Sequence, residues 1–312
     1  MAILLLLFII LVLILSIPAV QTSLGKKVTK RVNDDFGTNI NIGKVGLQFN
    51  GDIELKEIYV VDYKKDTLIS INELNTSILS FKNLYNGKLV FGDIDIMGLI
   101  FNIKTYKGAR DTNLDIFVAK FDSDNPRKGK SGFLMSSSDV SIYDGTFKLS
   151  DENKENSNGL HFNDLNINAT NFLINASDVS ARINTLAFVD SRGTAIKNLM
   201  TNFSYTLTDM TFDDLEIQTE NSILKGNVKF EYDRADLQFF TDSVNVAANF
   251  KESDIALNEL NTFYDEFGAN QKAKLSVNLT GKLNDLKATN LRLNTSRNTR
   301  VYGDINLSLI HI

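Results

Sequence analysis

The chain has 312 residues, a formal net charge of −5, 23% charged residues and no cysteine. Disulfides, thiolate chemistry and cysteine metal sites are therefore excluded, and nothing supplies the clustered basic surface that nucleic-acid binding needs. Only two histidines occur, His161 and His311, in no shared motif, while 35 asparagines favour turns and exposed strand faces over long helices.

In chain order, the first twenty-five residues carry no charged side chain. MAILLLLFIILVLILSIPAV offers about 20 apolar positions, the length of a bilayer-crossing helix. A cleaved signal peptide would show a charged leader, a shorter apolar core and a small-x-small cleavage site, so residues 1–22 are expected to be an uncleaved transmembrane anchor. Lys26, Lys27, Lys30 and Arg31 follow it. Taken literally, the positive-inside rule would hold the bulk of the chain in the cytoplasm; basic residues missing ahead of Met1 would remove that conflict. Leu24, Val28, Val32 and Phe36 recur every four residues, predicting an amphipathic helix over 23–37 that stops at Gly37. Its apolar stripe is expected to pack on the following domain, with a position on the membrane surface as the alternative.

From residue 38 the period becomes two. Val45, Leu47 and Phe49 alternate with polar or small residues, then Ile53 and Leu55 do so after Asn50-Gly51-Asp52, a turn that would set Phe49 across from Ile53. The G-[DN]-apolar-polar-apolar phrase returns as GDIDI at Gly92, GNVKF at Gly226 and GDINL at Gly303. At Gly92 either a two-residue hairpin or a bulge inside one strand keeps the apolar residues on one face. Further strands are expected at Phe101-Ile103, Val140-Ile142, Phe147-Leu149 after Asp144-Gly145, Val228-Phe230, Leu237-Phe239, Leu275-Val277-Leu279 and Leu291-Leu293, with FNDLNIN at Phe162 echoed by FDDLEIQ at Phe212. The spacing suits a long antiparallel meander of about 20 strands rather than a strict-period solenoid. Two helical breaks interrupt it: Leu114, Phe117, Val118 and Phe121 behind a Thr112 cap, and Leu257, Leu260, Tyr264 and Phe267 up to Gly268. The polar stretch DSDNPRKGKSG reads as a linker or exposed loop, dividing the soluble part into segments 38–125 and 126–312.

Chemistry-bearing motifs are weak. No phosphate loop, G-x-S-x-G or histidine pair at ligand spacing is present, and Asp122-Ser123-Asp124 lacks the later ligands of a calcium loop. No catalytic residue, metal or cofactor is expected, and the protein is read as a non-enzyme. What remains is a one-sided sheet whose apolar face has to be covered. A closed sandwich or barrel would cover it with more sheet; an open face would instead suit lipid tails. Each methylene removed from water contributes about 0.8 kcal/mol, so drawing a palmitoyl-length chain through water costs on the order of 12 kcal/mol.

The stretch from Ile17 to Ser70, with Val45-Gly46-Leu47 running into Asn50-Gly51-Asp52, is similar to the start of AsmA-like, TamB-type proteins, the translocation and assembly module family. DTLISINELNTSILSFKNL, GDIDIMGLIFNIKTYKG, TDMTFDDLEIQTENSILKGNVKFEY and LNTSRNTRVYGDI resemble the same group. The resemblance implies a mostly β fold: an N-terminal transmembrane helix and a long antiparallel β-meander forming an open, taco-like groove with two short helices. It implies a bacterial inner-membrane, single-pass protein with its bulk in the periplasm. Such a protein would conduct phospholipid toward the outer membrane, or serve as a subunit aiding outer-membrane protein insertion or secretion. It also implies an outer-membrane barrel partner, met through a C-terminal domain not visible here. The chain stops part-way through an alternating strand at NLSLIHI and reads as an N-terminal fragment. Ile53, Leu55, Ile94, Ile96, Phe101, Ile103, Val228, Phe230, Val277 and Leu279 are the expected lipid-groove lining, each open to the alternative of ordinary core packing. A structural or adhesive β-array is the third functional reading.

Overall fold

The computed structural model describes residues 17–48, 51–79, 83, 88–121, 134–154, 159–233, 236, 239–262, 271–296 and 299–308. Two compact units divide at Gly159/Leu160: Met1–Gly159 with Leu173–Ala176, and Leu160–Phe172 with Ser177–Ile312. The expected division near residue 125 lies outside the described residues.

Unit 1 opens with helix α1 (Pro18–Phe36). Pro18 sits at the first helical turn, where its missing N–H costs nothing, and Gly37 ends the helix at φ 68, its amide bonded to Asn33 O. The helix thus begins before residue 23, inside the segment expected to span the membrane. Residues 1–16, which carry most of that segment, lie outside the described residues. No helix among the described residues is long and apolar enough to cross a membrane.

Five strands follow: β1 (Ile40–Leu47), β2 (Asp52–Val61), β3 (Thr67–Ile78), β4 (Lys88–Thr105) and β5 (Leu134–Asp151), hydrogen-bonded in that order. The β1–β4 ladders are antiparallel, but β4 and β5 run parallel, with Ile96 beside Ile142 and Phe101 beside Phe147. This corrects the expectation that the meander is antiparallel throughout. Parallel neighbours cannot be joined by a tight turn and need a long crossover. The crossover carries helix α2 (Asn113–Val118) and a 3-10 turn (Ala119–Phe121). Thr112, the cap that the sequence suggested, forms a reciprocal capping box with Asp115 at the start of α2.

Unit 2 contains β6 (Leu160–Asn175), β7 (Asp178–Asp190), β8 (Ala195–Ile196), β9 (Asn198–Tyr205), β10 (Asp209–Gln218), β11 (Ile223–Glu231), helix α3 (Phe240–Ser243), β12 (Asn245–Ala256), a 3-10 helix (Leu257–Thr262), β13 (Lys272–Lys282), β14 (Asp285–Thr295) and β15 (Arg300–Ser308). Its sheet order is β6-β7-β9-β10-β11-β12-β13-β14-β15, with β8 on β7, and it does not close on itself. The described residues therefore form fifteen strands, fewer and longer than expected, because several supposed turns lie inside strands.

These longer strands decide several local readings. Leu47, not Phe49, pairs with Ile53; Phe49 lies outside the described residues. Of the two readings open at Gly92-Asp93 the bulge holds: it lies opposite Ser77 within a continuous β4. Asp144-Gly145 also lies inside a strand, β5, with Asp144 at φ 53. Phe239 leads into α3 rather than forming a strand with Leu237, which lies outside the described residues. The second helical break is a 3-10 helix as far as Thr262; Tyr264, Phe267 and Gly268 lie outside the described residues.

The docked side of α1 is polar. Gln21 Nε2 donates to Leu47 O (2.8 Å), Thr22 Oγ1 accepts from the Val45 amide (3.2 Å), and Asn33 both donates to Ile40 O and accepts from Ile40 N. These side chains occupy the edge of β1 that no strand pairs with. An open edge invites foreign strands, and here the chain caps it with its own helix. A side chain at Gly25 would run into Val45. The expected stripe is only partly used: Phe36 meets Phe121 at 5.2 Å, whereas Leu24 and Val28 are exposed.

Candidate functional site: the apolar sheet faces

In unit 1 the ladder registers align apolar residues into rows across all five strands. One row is Val45, Leu55, Leu74, Ile96 and Ile142; another is Ile40, Val60, Ile69, Phe101 and Phe147. Between them every strand takes three residues where alternation would take two: Ile42 to Val45, Leu55 to Ile58, Ile71 to Leu74, Ile96 to Leu99, Ile142 to Gly145. The extra residues include Glu57, Gly98 and Asp144, all at positive φ. A plain strand would have turned half of each apolar set to water. Because all five strands jog at one level, the face stays apolar. Outward, Lys56 bridges Glu54 (2.8 Å) and Glu73 (3.2 Å).

Unit 2 does the same with bulges on alternate strands. Asp214 on β10, Glu252 on β12 and Asn290 on β14 have φ of 52, 50 and 53, and the register shifts at each. A bulge leaves one amide without a ladder partner. A side chain on the next strand accepts each of them: Asn227 Oδ1 from Asp214 (2.8 Å), Ser276 Oγ from Glu252 (3.2 Å) and Asp304 Oδ1 from Asn290 (2.9 Å). This explains two copies of the recurring phrase: Asn227 and Asp304 are the polar letters of GNVKF and GDINL. The FNDLNIN/FDDLEIQ echo marks the same device, with Asp164 and Asp214 at positive φ followed by buried Leu165 and Leu215.

The resulting row crosses eight strands: Ala181, Phe203, Phe212, Val228, Ala248, Leu279, Ala288 and Ile305. Rings continue along it, Phe203–Phe212 at 5.3 Å, Phe212–Phe230 at 6.2 Å and Phe230–Phe240 at 5.3 Å. Among the described residues the helices of unit 2 are four and six residues long, too short to roof eight strands. Phe203, Phe212, Val228, Phe230 and Leu279 remain half-buried.

All ten expected lining residues sit on these faces, six in unit 1 and four in unit 2. Their exposure separates them. Ile94 (2%), Val277 (6%) and Ile53 (9%) are covered by the chain itself, whereas Leu55, Ile96, Phe101, Ile103, Val228, Phe230 and Leu279 are half-buried. The row through Ile53 and Ile94 also carries Thr76, whose buried Oγ1 has no hydrogen-bond partner. A lone hydroxyl facing an apolar surface leaves its hydrogen-bonding capacity unmet.

Polar clusters elsewhere hold loops in place. Tyr106 donates to Asp62 (2.6 Å) and Asp66 (3.0 Å), and Asn113 donates to Asp62 (3.1 Å). Burial and those two carboxylates push the Tyr106 phenol far above its ordinary range. The Asp66 carboxyl is held low by the Tyr106 hydroxyl and then Lys104. Burial alone would raise Glu259, but donors from Ser222, Thr219 and Asn221 bring it below the usual carboxylate range. Among the described residues no group of three or more histidine or acidic side chains converges as a metal site. A cleft of about 570 Å³ is lined by three cations, Lys225, Lys274 and Arg292, and two carboxylates, Glu252 and Asp254.

The fold and its faces define the chain as an open, mostly β protein with one-sided apolar sheets. No family model matches the chain, and no curated protein matches it in sequence.

Proposed function

We propose that the protein is an inner-membrane-anchored, periplasmic conduit for phospholipid, in the manner of the AsmA-like, TamB-type proteins that its sequence resembles. Acyl tails lie on the apolar strand faces while headgroups stay in water, and no covalent step is involved. The observation that carries this reading is the eight-strand apolar row of unit 2, where Ala248 and Ala288 are buried but Phe203, Phe212, Val228 and Leu279 stay half-buried and Ile305 is exposed, with too little helix among the described residues to cover it. An apolar surface of that extent is unusual in a soluble monomer unless it binds something. A photo-crosslinker at Phe230 or Ile96 in cells should yield phospholipid adducts, with none at outward Asp95 or at Ile94, which its own chain covers. Absence of lipid adducts at every half-buried inward position would remove the conduit.

A second reading, handling of outer-membrane polypeptides, is favoured by β15, an edge strand among the described residues with Tyr302 59% and Ile305 40% exposed. Such an edge can recruit a strand from another chain. Adducts to nascent barrel proteins at Tyr302, without lipid adducts, would select it.

A further inference from the structure

α1 leaves an apolar strip on its outer side. Ile17, Leu24 and Val28 are 48%, 39% and 43% exposed, and their spacing puts them on one helical line. That line borders the Gln21, Gly25 and Asn33 ridge that holds β1, with Gln21 seven residues before Val28 at their shared margin. The strip stops after Val28, where its continuation is the ion-paired Arg31 and Asp35 (3.7 Å). Lys27 is exposed on the flank of its apolar part, three residues on from Leu24, while Lys26 lies on the opposite side of the helix. The residues ahead of Ile17 carry no charged side chain.

We infer that α1 rests on the surface of an anionic bilayer, with Ile17, Leu24 and Val28 at the headgroup–acyl boundary and Lys27 against lipid phosphates. Membrane-surface helices join an apolar face to a basic flank in this way, and basic residues next to an apolar segment draw anionic lipid. The inference rests on the membrane-anchored reading and adds to it. The helix that seals the edge of β1 would also seat that edge at the lipid surface, so that the first strand begins where lipid is available.

With no native cysteine, L24C, V28C and the control D34C each give the full chain a unique labelling site at an exposed position. The labelled chain is reconstituted into vesicles of phosphatidylcholine, alone or mixed with phosphatidylglycerol. At positions 24 and 28, an environment-sensitive dye should brighten several-fold and lose iodide quenching in the mixed vesicles. At position 34 it should stay wet, and K27E should reverse the gain. Flotation with vesicles while the dyes at 24 and 28 quench as fully as at 34 overturns this inference alone. Failure to float at all overturns the anchored reading with it. Protection that persists in detergent and scales with protein concentration would assign the strip to a second copy of the chain and equally overturn it.

Discussion

Asn227 Oδ1 accepts the Asp214 amide at 2.8 Å, across the β10–β11 ladder and at the point where the register slips. Asn227→Ala removes the acceptor but leaves the exposed amide open to water, so the expected loss is about 0.5–1.5 kcal/mol. Asn227→Asp keeps an acceptor and should hold most of it. Urea midpoints decide; equal losses for both variants would show that the hydrogen bond is not the cause.

Asp214 itself sits at φ 52. Asp214→Gly should leave stability nearly unchanged, since glycine adopts that conformation freely. Asp214→Val should cost about 1–2 kcal/mol. If valine were tolerated as well as glycine, the left-handed backbone would not be constraining this position.

Thr76 and Ile94 are paired neighbours on one face with opposite expected responses. Thr76→Val removes an unpartnered hydroxyl and should be neutral or stabilising by up to about 1 kcal/mol. Ile94→Ala opens a void in a site 2% exposed and should cost about 2–5 kcal/mol. A clear destabilisation by Thr76→Val would mean that its hydroxyl has a partner in solution.

Two carboxyls link stability to acid. Asp190 is held low by Arg192, at 2.7 Å, and Glu259 by its ring of donors. Both lie below their unfolded values, so the unfolded chain binds protons more readily. The stabilisation is complete above the ordinary carboxylate range and drains away as pH falls through the folded values. Glu259→Gln should lower the melting temperature at neutral pH, and the gap to the parent should shrink toward pH of about 3. A gap that stays constant with pH would exclude this linkage.

Much of the strand content was legible, because runs such as Ile53-Leu55 and Leu275-Val277-Leu279 alternate cleanly. The three-residue jogs were harder to see. In β2 the inward set changes parity between Leu55 and Ile58, yet Glu57 at φ 58 carries no residue signal for a left-handed backbone, whereas Gly98 does. Strand direction leaves no trace in alternation; only the length of the 106–133 connection hinted that β4 and β5 run parallel. The orientation of α1 misled for a different reason. Gln21, Thr22 and Asn33 bind it to β1 through hydrogen bonds, which have no hydrophobic signature, so only the Phe36 end of the apolar stripe packs as expected.

The parallel pairing of β4 with β5 also sets an order of assembly. Each of β2 to β4 can zip onto its immediate predecessor, but Lys88 meets Leu134 and Thr105 meets Asp151, each pair 46 positions apart. Closing that long excursion costs chain entropy before any contact repays it. A chain emerging in vectorial fashion would thus complete a four-strand curl first and pause with the flank of β4 bare. That pause is the interval in which a chaperone, or a misplaced strand, would compete for it.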